Sequence, residues 1–532
     1  MPLSRREFLL YGLGAAAGAG AAWRLFRPAS RPSSRILGEI VGASHAIGHR
    51  LREGRFPPPS ATESIGVAIL GGGVAGLSAA WRLAKRGRTD FRVYELEARE
   101  GGTSSWGANG VTRFPWGAHY LPGPGPEAVW VRELLEEIGV VVGHGPDGEP
   151  IYDERQIVSE PEERLFLAGA WREGLFPGEG ASAEDLRQAG AFRDLMSAFR
   201  ARRDAAGRRA FAIPVEASAR DADLVSLDGM TMGAFLEAHG ITSPRVRWWV
   251  EYACRDDFGC SLATASAWAG VHYWASRAED GPLLAWPEGN GRLVRALAEA
   301  AGPRIETGRL AIRVAPEDRR VVIDLWDPRS DRVTRVTADH AVLAVPRFVA
   351  ARIVEPWRDA PPAWLREFTY APWMVANVWV DRVPQGAGFE ASWDNVIHDS
   401  ESLGYVVATH QMPRSAPGPS VLTYYRPFVG LDPAAERERM LATRWEAWRD
   451  LVLADLSVAH PGIEASISRI DVMLWGHGMI RPTPGFVWGG ARAAAATSLG
   501  RLRFAHSDLS GIALFEEAQH WGVRAAEEIL SS

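Results

Sequence analysis

Gly71-Gly72-Gly73-Val74-Ala75-Gly76 constrains this chain more than any other stretch. The six residues fit G-x-G-x-x-G. They lie between a short, wholly apolar run, Val67-Ala68-Ile69-Leu70, and a segment in which Leu77, Ala80, Trp81 and Ala84 recur at helical spacing. The apolar run has the pattern of a parallel strand buried on both faces. Arg82, Lys85 and Arg86 gather where cations favour a helix C-terminus, Gly87 stops the helix, and Phe91-Arg92-Val93-Tyr94 supplies a second strand. Strand, glycine turn, helix and strand form a unit suited to a dinucleotide. Gly71 permits the tight turn, Gly73 lets backbone approach a pyrophosphate, and Gly76 lets helix pack on strand. The helix start at Val74 and Ala75 presents unpaired N–H groups to the phosphates. Glu95, just past the second strand with Leu96 beside it, is placed to accept hydrogen bonds from ribose hydroxyls.

Glu97-Ala98-Arg99-Glu100-Gly101-Gly102-Thr103-Ser104 runs on into a second glycine turn, which a nicotinamide dehydrogenase does not need and an extended FAD does. The Gly71 turn, Glu95 and the Gly101-Gly102 turn together resemble the flavin-containing amine oxidase superfamily, which includes monoamine oxidases, phytoene-desaturase-like enzymes and protoporphyrinogen oxidases. At the other end, Arg503-Phe504-Ala505-His506-Ser507-Asp508 resembles that family's strand ending in an acid that faces the ribityl chain. Glu516-Glu517-Ala518 with Gly522, Ala525 and Ala526 is similar to its final helix. Pro115-Trp116-Gly117-Ala118-His119-Tyr120 resembles the segment along the isoalloxazine ring, and Ala338 to Pro346 the family's alanine-valine strand that ends at a proline.

The resemblance implies an α/β fold in which a Rossmann-type FAD-binding domain is interleaved with an α+β substrate domain. The FAD-binding parts are expected at 64–125, 286–350 and 489–532. The substrate parts are expected at 126–285, mainly helical, and at 351–488, with strands and one long helix from Pro433 to Leu456. Besides the residues of the first turn, the expected FAD contacts are Glu95, Leu96, Gly101, Gly102, Thr103, Gly117, Ala118 and His119. Ala311 in a strand near Arg309 to Val314, Asp508, Phe515 and Glu516 complete the set. FAD is expected to be noncovalent, since no cysteine-bearing attachment segment lies near the C-terminus.

The chain also departs from the family. Thr103 stands where an arginine usually contacts phosphate, Glu517 replaces a glycine expected against the flavin, and Leu514 occupies one position of the amine-caging aromatic pair. Lys85, the single lysine, lies on the first helix and cannot hold a water at the flavin. His119 and Tyr120 are candidates to orient substrate or move a proton, as is His477 in Trp475-Gly476-His477-Gly478-Met479. The segment from Glu127 to Glu251 carries no recognisable catalytic constellation. The reading is an FAD-dependent oxidoreductase acting on a small molecule, an amine or an apolar compound. A desaturase or porphyrinogen-type oxidase on an apolar substrate and a non-catalytic electron carrier remain as alternatives.

Ser4-Arg5-Arg6-Glu7-Phe8-Leu9, followed by a Gly/Ala-rich apolar run to Trp23, reads as a twin-arginine signal. It predicts the twin-arginine export machinery as a partner and a periplasmic or extracytoplasmic location. Membrane association through the N-terminal segment stays open. Residues 31–63, with Pro57-Pro58-Pro59, read as a linker holding one short helix. A net charge of −6 over 532 residues leaves no electrostatic footprint for nucleic acid. Cys254 and Cys260 fit a disulfide or two buried thiols equally well, and their spacing matches no standard metal site, so no metal is expected.

Overall fold

The structure is a computed structural model describing residues 35–278, 281–412 and 418–532. The twin-arginine motif therefore lies outside the described residues. Pro59–Leu70 forms a central strand of a seven-stranded sheet, parallel to Phe91–Tyr94 on one side and to Arg332–Leu343 on the other. Its last five residues are buried, as the apolar run predicts. Ile305–Glu306 extends the sheet beyond Phe91–Tyr94, and Leu502–Phe504 adds to Arg332–Leu343 in parallel. Val321–Asp327 and Leu310–Pro316 continue it in antiparallel fashion. Three remote stretches of chain thus build one sheet. The helix Val74–Lys85 follows the glycine turn, and the closing helix Phe515–Leu530 lies across it. A Cβ on Gly522 would come within 2.1 Å of the Ala75 carbonyl oxygen, so these two helices meet backbone to backbone.

A second sheet of eight strands forms the substrate half. Its order is Ile40–Gly42, Ile467–Ile480, Tyr370–Val380, Ser420–Pro427, Tyr405–Val407, Asp394–Ile397, Glu163–Leu167 and Ala170–Glu173. The 126–285 stretch therefore contributes two strands to this sheet as well as helices. Those helices, chiefly Ala183–Ala201, Pro244–Phe258 and Ala267–Ala275, pack around a core containing Phe192, Phe235 and Trp268. Cys254 and Cys260 are free thiols buried there. None of the helices among the described residues is long and apolar enough to cross a membrane.

Two stretches differ from expectation. Within the expected linker the short helix is present, at His45–Glu53, but residues 35–58 also pack on the fold. Ile40–Gly42 joins the second sheet, His45–Glu53 is helical, and Ser44 donates from its backbone N–H and its hydroxyl to Glu97 at 2.9 and 2.6 Å. Ile47, Leu51 and Phe56 pack on Leu310 and Trp326, a partner surface that proline and arginine content does not reveal. The helix expected from Pro433 to Leu456 is two helices, Pro433–Ala442 and Trp445–Ala459. Thr443 is extended and its hydroxyl donates to the Arg439 carbonyl at 2.7 Å, drawing on an acceptor at the helix end.

Candidate active site

The glycine turn has the shape its spacing implies. A Cβ on Gly71, at φ +107°, would meet the Ala344 carbonyl oxygen at 2.4 Å, and one on Gly76 would meet the Gly71 carbonyl oxygen at 1.9 Å. A Cβ on Gly73 would instead find nothing nearer than the Gly102 Cα, at 3.9 Å, so that face of the turn stands open. Gly73 heads the helix with no side-chain cap. The second turn lies alongside, with the Gly101 N–H donating to the Gly72 carbonyl at 2.8 Å. Glu95 is buried and accepts from the backbone N–H groups of Gly72 and Glu97 at 2.7 and 2.8 Å. Burial pushes its pKa up to about 7. An open helix N-terminus between two glycine turns, with an acid at the neighbouring strand end, fits the diphosphate and ribose of FAD. Ala311 follows in the outermost strand, brought near by Arg309, whose N–H donates to the Glu95 carbonyl at 2.8 Å.

Beyond the turns lies an inner chamber. Thr103, Gly117, Ala118, His119 and Tyr120 line one part of it, and Leu514, Phe515 and Glu516 another. Asn290 also faces the chamber; it is 2% exposed and its Oδ1 has no hydrogen-bond partner, an acceptor left for a bound group. The segment carrying His119 is pinned to the second sheet. Asn377 Nδ2 donates to the Pro115 carbonyl at 3.0 Å, Trp475 Nε1 to the Trp116 carbonyl at 2.6 Å, and the Tyr425 hydroxyl to the Gly117 carbonyl at 2.9 Å. His119 stacks on Tyr425 with ring centroids 4.4 Å apart, and burial lowers its pKa to about 3, so the imidazole is neutral.

The same His119, Tyr120, Asp256, Arg277 and Tyr425 also bound an outer cavity of about 390 Å³, within the size range of small-molecule sites. Three carboxylates face this cavity: Glu163, Asp256 and Asp394. The Tyr120 hydroxyl donates to Asp256 at 2.8 Å and the Tyr252 hydroxyl to Asp394 at 3.4 Å. Asp256 lies in the last turn of the helix Pro244–Phe258, where the helix dipole is itself negative. Its neighbour Asp257 holds Arg277 at 3.3 Å, and the Arg277 charge also acts on Asp256; Arg193 and Arg200 line the same cavity, and among the described residues none of the three carboxylates forms an ion pair. Burial, then Glu162 for the first and Asp257 for the second, raises Glu163 and Asp256 to about 7. Burial with Glu163 and Asp256 nearby raises Asp394 well above the carboxylate range.

Two expected site residues stand apart from the chamber wall. Asp508 is buried and spends its carboxylate inside the protein, accepting from the Arg347 N–H at 2.8 Å and the Tyr370 hydroxyl at 2.6 Å. His477 stacks on Phe348 with centroids 3.7 Å apart while its neighbours Trp475 and Gly478 face the chamber. Glu517 points away as well: it accepts from the Val215 N–H at 2.7 Å and from the Ser510 hydroxyl, tying the helical part to the closing helix. Sequence reasoning missed the three cavity carboxylates. The doubled acid Asp256-Asp257 was visible beside the cysteines, but nothing in the order of residues joins it to Glu163 or Asp394.

Residues 74–530 match the family model described as flavin containing amine oxidoreductase. No curated protein matches the sequence. Similar solved structures include a putrescine oxidase double mutant made in a redesign of cofactor binding, at 18% identity and TM-score 0.64, covering 88% of this chain and 100% of that one. Cyclohexylamine oxidase from Brevibacterium oxydans IH-35A is 18% identical, with TM-score 0.60 over 88% of this chain and 99% of its own. A CLA-producing fatty acid isomerase from P. acnes is 16% identical, with TM-score 0.61 over 87% and 98%. At these identities the likeness is one of fold, and proteins of different chemistry share it.

Proposed function

Since the chain belongs to the flavin containing amine oxidoreductase family and is an FAD-dependent oxidoreductase, we propose that it oxidises an amine at the carbon next to nitrogen. One observation carries this reading: three carboxylates that form no ion pair among the described residues line, together with Arg193, Arg200 and Arg277, a cavity that shares its inner wall with the chamber. Buried carboxylates are costly unless paired, and a protonated amine is the pairing ligand that this family's chemistry uses. An apolar substrate would leave them unmatched, which weighs against the desaturase-type reading.

FAD, when bound, supplies the hydride acceptor. Gly73 to Gly76 and Glu95 would hold its diphosphate and ribose, and Thr103, Gly117, Ala118, Phe515 and Glu516 would border its ring system. The rest of the work falls to side chains. An ammonium has no nitrogen lone pair to assist hydride loss, so it must first give up a proton. Asp256, with its pKa near 7, is matched to take that proton, and the Tyr120 hydroxyl fixes the orientation of its carboxylate. His119, neutral, stacked on Tyr425 and tilted against Trp393, walls the reacting carbon without adding positive charge.

The FAD is read as noncovalent, because both cysteines are buried in the helical core and neither lines the chamber. Export by the twin-arginine machinery to an extracytoplasmic location rests on Ser4-Arg5-Arg6. The test of function is an anaerobic absorbance spectrum of the purified protein with a panel of amines. Loss of the oxidised-flavin bands with at least one amine is expected; a flavin that no amine reduces would refute the reading.

A further inference from the structure

Ala43 and Ser44 are consecutive residues, and they fasten to opposite halves of the molecule. The Ala43 N–H donates to the Leu474 carbonyl at 3.3 Å, and Ser44 donates to the Glu97 carboxylate from its N–H and its hydroxyl. Leu474 directly precedes Trp475, which lines the inner chamber. Glu97 lies two residues past Glu95, the acid expected at the ribose, and its own N–H donates to the Glu95 carboxylate at 2.8 Å. One peptide link thus joins the chamber wall to the ribose acid.

The rest of the segment extends this bridge in both directions. On the substrate side Ile40–Gly42 is the edge strand of the eight-stranded sheet, in parallel register with Val472 and Met473. On the nucleotide side Ser44 heads the helix His45–Glu53, so the Glu97 carboxylate sits at a helix N-terminus, where negative charge is favoured. A Cβ on Gly48 would lie 3.8 Å from the Leu96 side chain, and Ile47, Leu51 and Phe56 pack on Leu310 and Trp326. The family match begins at residue 74, so the bridge lies outside the matched region. No residue of the helix is fully buried, and Arg52 and Arg55 are exposed. A segment of that kind opens at lower cost than the core.

We propose that residues 37–58 are a latch that retains FAD, with Ser44 and Glu97 as positioning residues that act through Glu95. Closed, the latch holds Glu95, Leu96 and Glu97 in place and fixes the nucleotide half against the chamber wall. FAD held at Glu95 and bordered by the chamber residues favours the same arrangement. Latch closure and FAD binding therefore stabilise one another, and linkage makes the effect reciprocal: the factor that closure adds to FAD affinity is the factor that FAD adds to closure. The inference rests on the FAD site and is independent of amine oxidation.

Two measurements on the purified protein test it, and neither uses an amine. The first is the rate at which FAD leaves the holoenzyme on dilution, followed by flavin fluorescence. Leu51→Asp/Phe56→Ser, which removes two apolar anchors, should release FAD about 5- to 150-fold faster than the wild type, the range of coupling between linked sites. Ser44→Ala should release it about 3- to 10-fold faster, while Ser44→Thr, which keeps the hydroxyl, should stay within about two-fold of the wild type. The second measurement is tryptic cleavage confined to the bonds after Arg52 and Arg55, located by mass spectrometry. Saturating FAD should slow it about 5- to 150-fold relative to flavin-free protein. Wild-type release from the double variant with its segment shown detached by cleavage would overturn the proposal. So would Ser44→Ala releasing FAD no faster than Ser44→Thr, or cleavage at equal rates with and without FAD. Should the double variant fail to fold, the Ser44 pair and the protection of the wild type still decide the matter. Failure of every amine to reduce the flavin would refute amine oxidation and leave both results standing.

Discussion

The nucleotide half buries carboxylates outright while the substrate half leaves them half-buried on a cavity wall, and the two halves treat them in opposite ways. Glu95 accepts from two backbone N–H groups, and Glu517 is engaged by Val215 and Ser510, so each has partners supplied by the fold. Among the described residues Glu163, Asp256 and Asp394 form no ion pair; tyrosine hydroxyls and backbone N–H groups are their hydrogen-bond partners, the Arg277 charge acts on Asp256, and all three line one cavity. In the first half burial of charge serves the fold. In the second it is a standing cost to stability, which a ligand of opposite charge removes.

The largest effect that would break this contrast lies in the nucleotide half. Gly73→Asp has room for its Cβ, so the fold should persist while a negative charge enters the open face of the turn. Flavin content per polypeptide is expected to fall at least about ten-fold with little change in the circular dichroism spectrum; full flavin content would mean that the phosphates lie elsewhere. Asp256→Asn comes next. The expected outcome is normal flavin content and a rate of anaerobic flavin reduction by amine lowered about 10²- to 10⁴-fold, the range for loss of a positioned base.

Smaller effects sharpen the contrast through stability. Asp394 has a raised folded pKa, so the empty protein is most stable while this group keeps its proton and loses stability as pH rises above the ordinary carboxylate range. Asp394→Asn should therefore melt higher than the wild type at pH 8, with the gain vanishing near pH 4. Thermal melts at the two pH values check this. Glu517 is the control: burial raises its pKa to about 8, so at pH 6 it is protonated, and an amide can replace both of its hydrogen bonds. Glu517→Gln at pH 6 should change stability by less than about 1 kcal/mol and leave turnover unaltered.

The same contrast explains what the sequence discloses. The nucleotide site is built from backbone at fixed spacing, with Gly71, Gly73, Gly76, Glu95 and Gly101 all inside one stretch of chain, so a linear pattern describes it. The packing of Gly522 on Ala75 is similarly written into the small residues of the closing helix. The cavity is assembled from side chains on a strand near residue 163, a helix end near 256 and a strand near 394. Only sheet register brings the first and last together. Glu163 in Glu160-Pro161-Glu162-Glu163 reads as part of a solvated acidic run until that register is known. His477 and Asp508 show the reverse: each sits in a motif that points to the flavin, yet local packing on Phe348 and on Arg347 with Tyr370 claims the side chain.

The central claim is that the cavity carboxylates exist to receive a cation. It is tested most directly by calorimetric titration of the FAD-loaded enzyme at pH 7 with an amine that has no hydrogen on the carbon next to nitrogen, in two buffers of different ionisation enthalpy. Because desolvation raises Glu163 and Asp256 to about 7 in the empty cavity, binding should expel protons and the apparent enthalpy should differ between buffers. Binding with no proton release, and with equal affinity in the Asp256→Asn variant, would contradict the account.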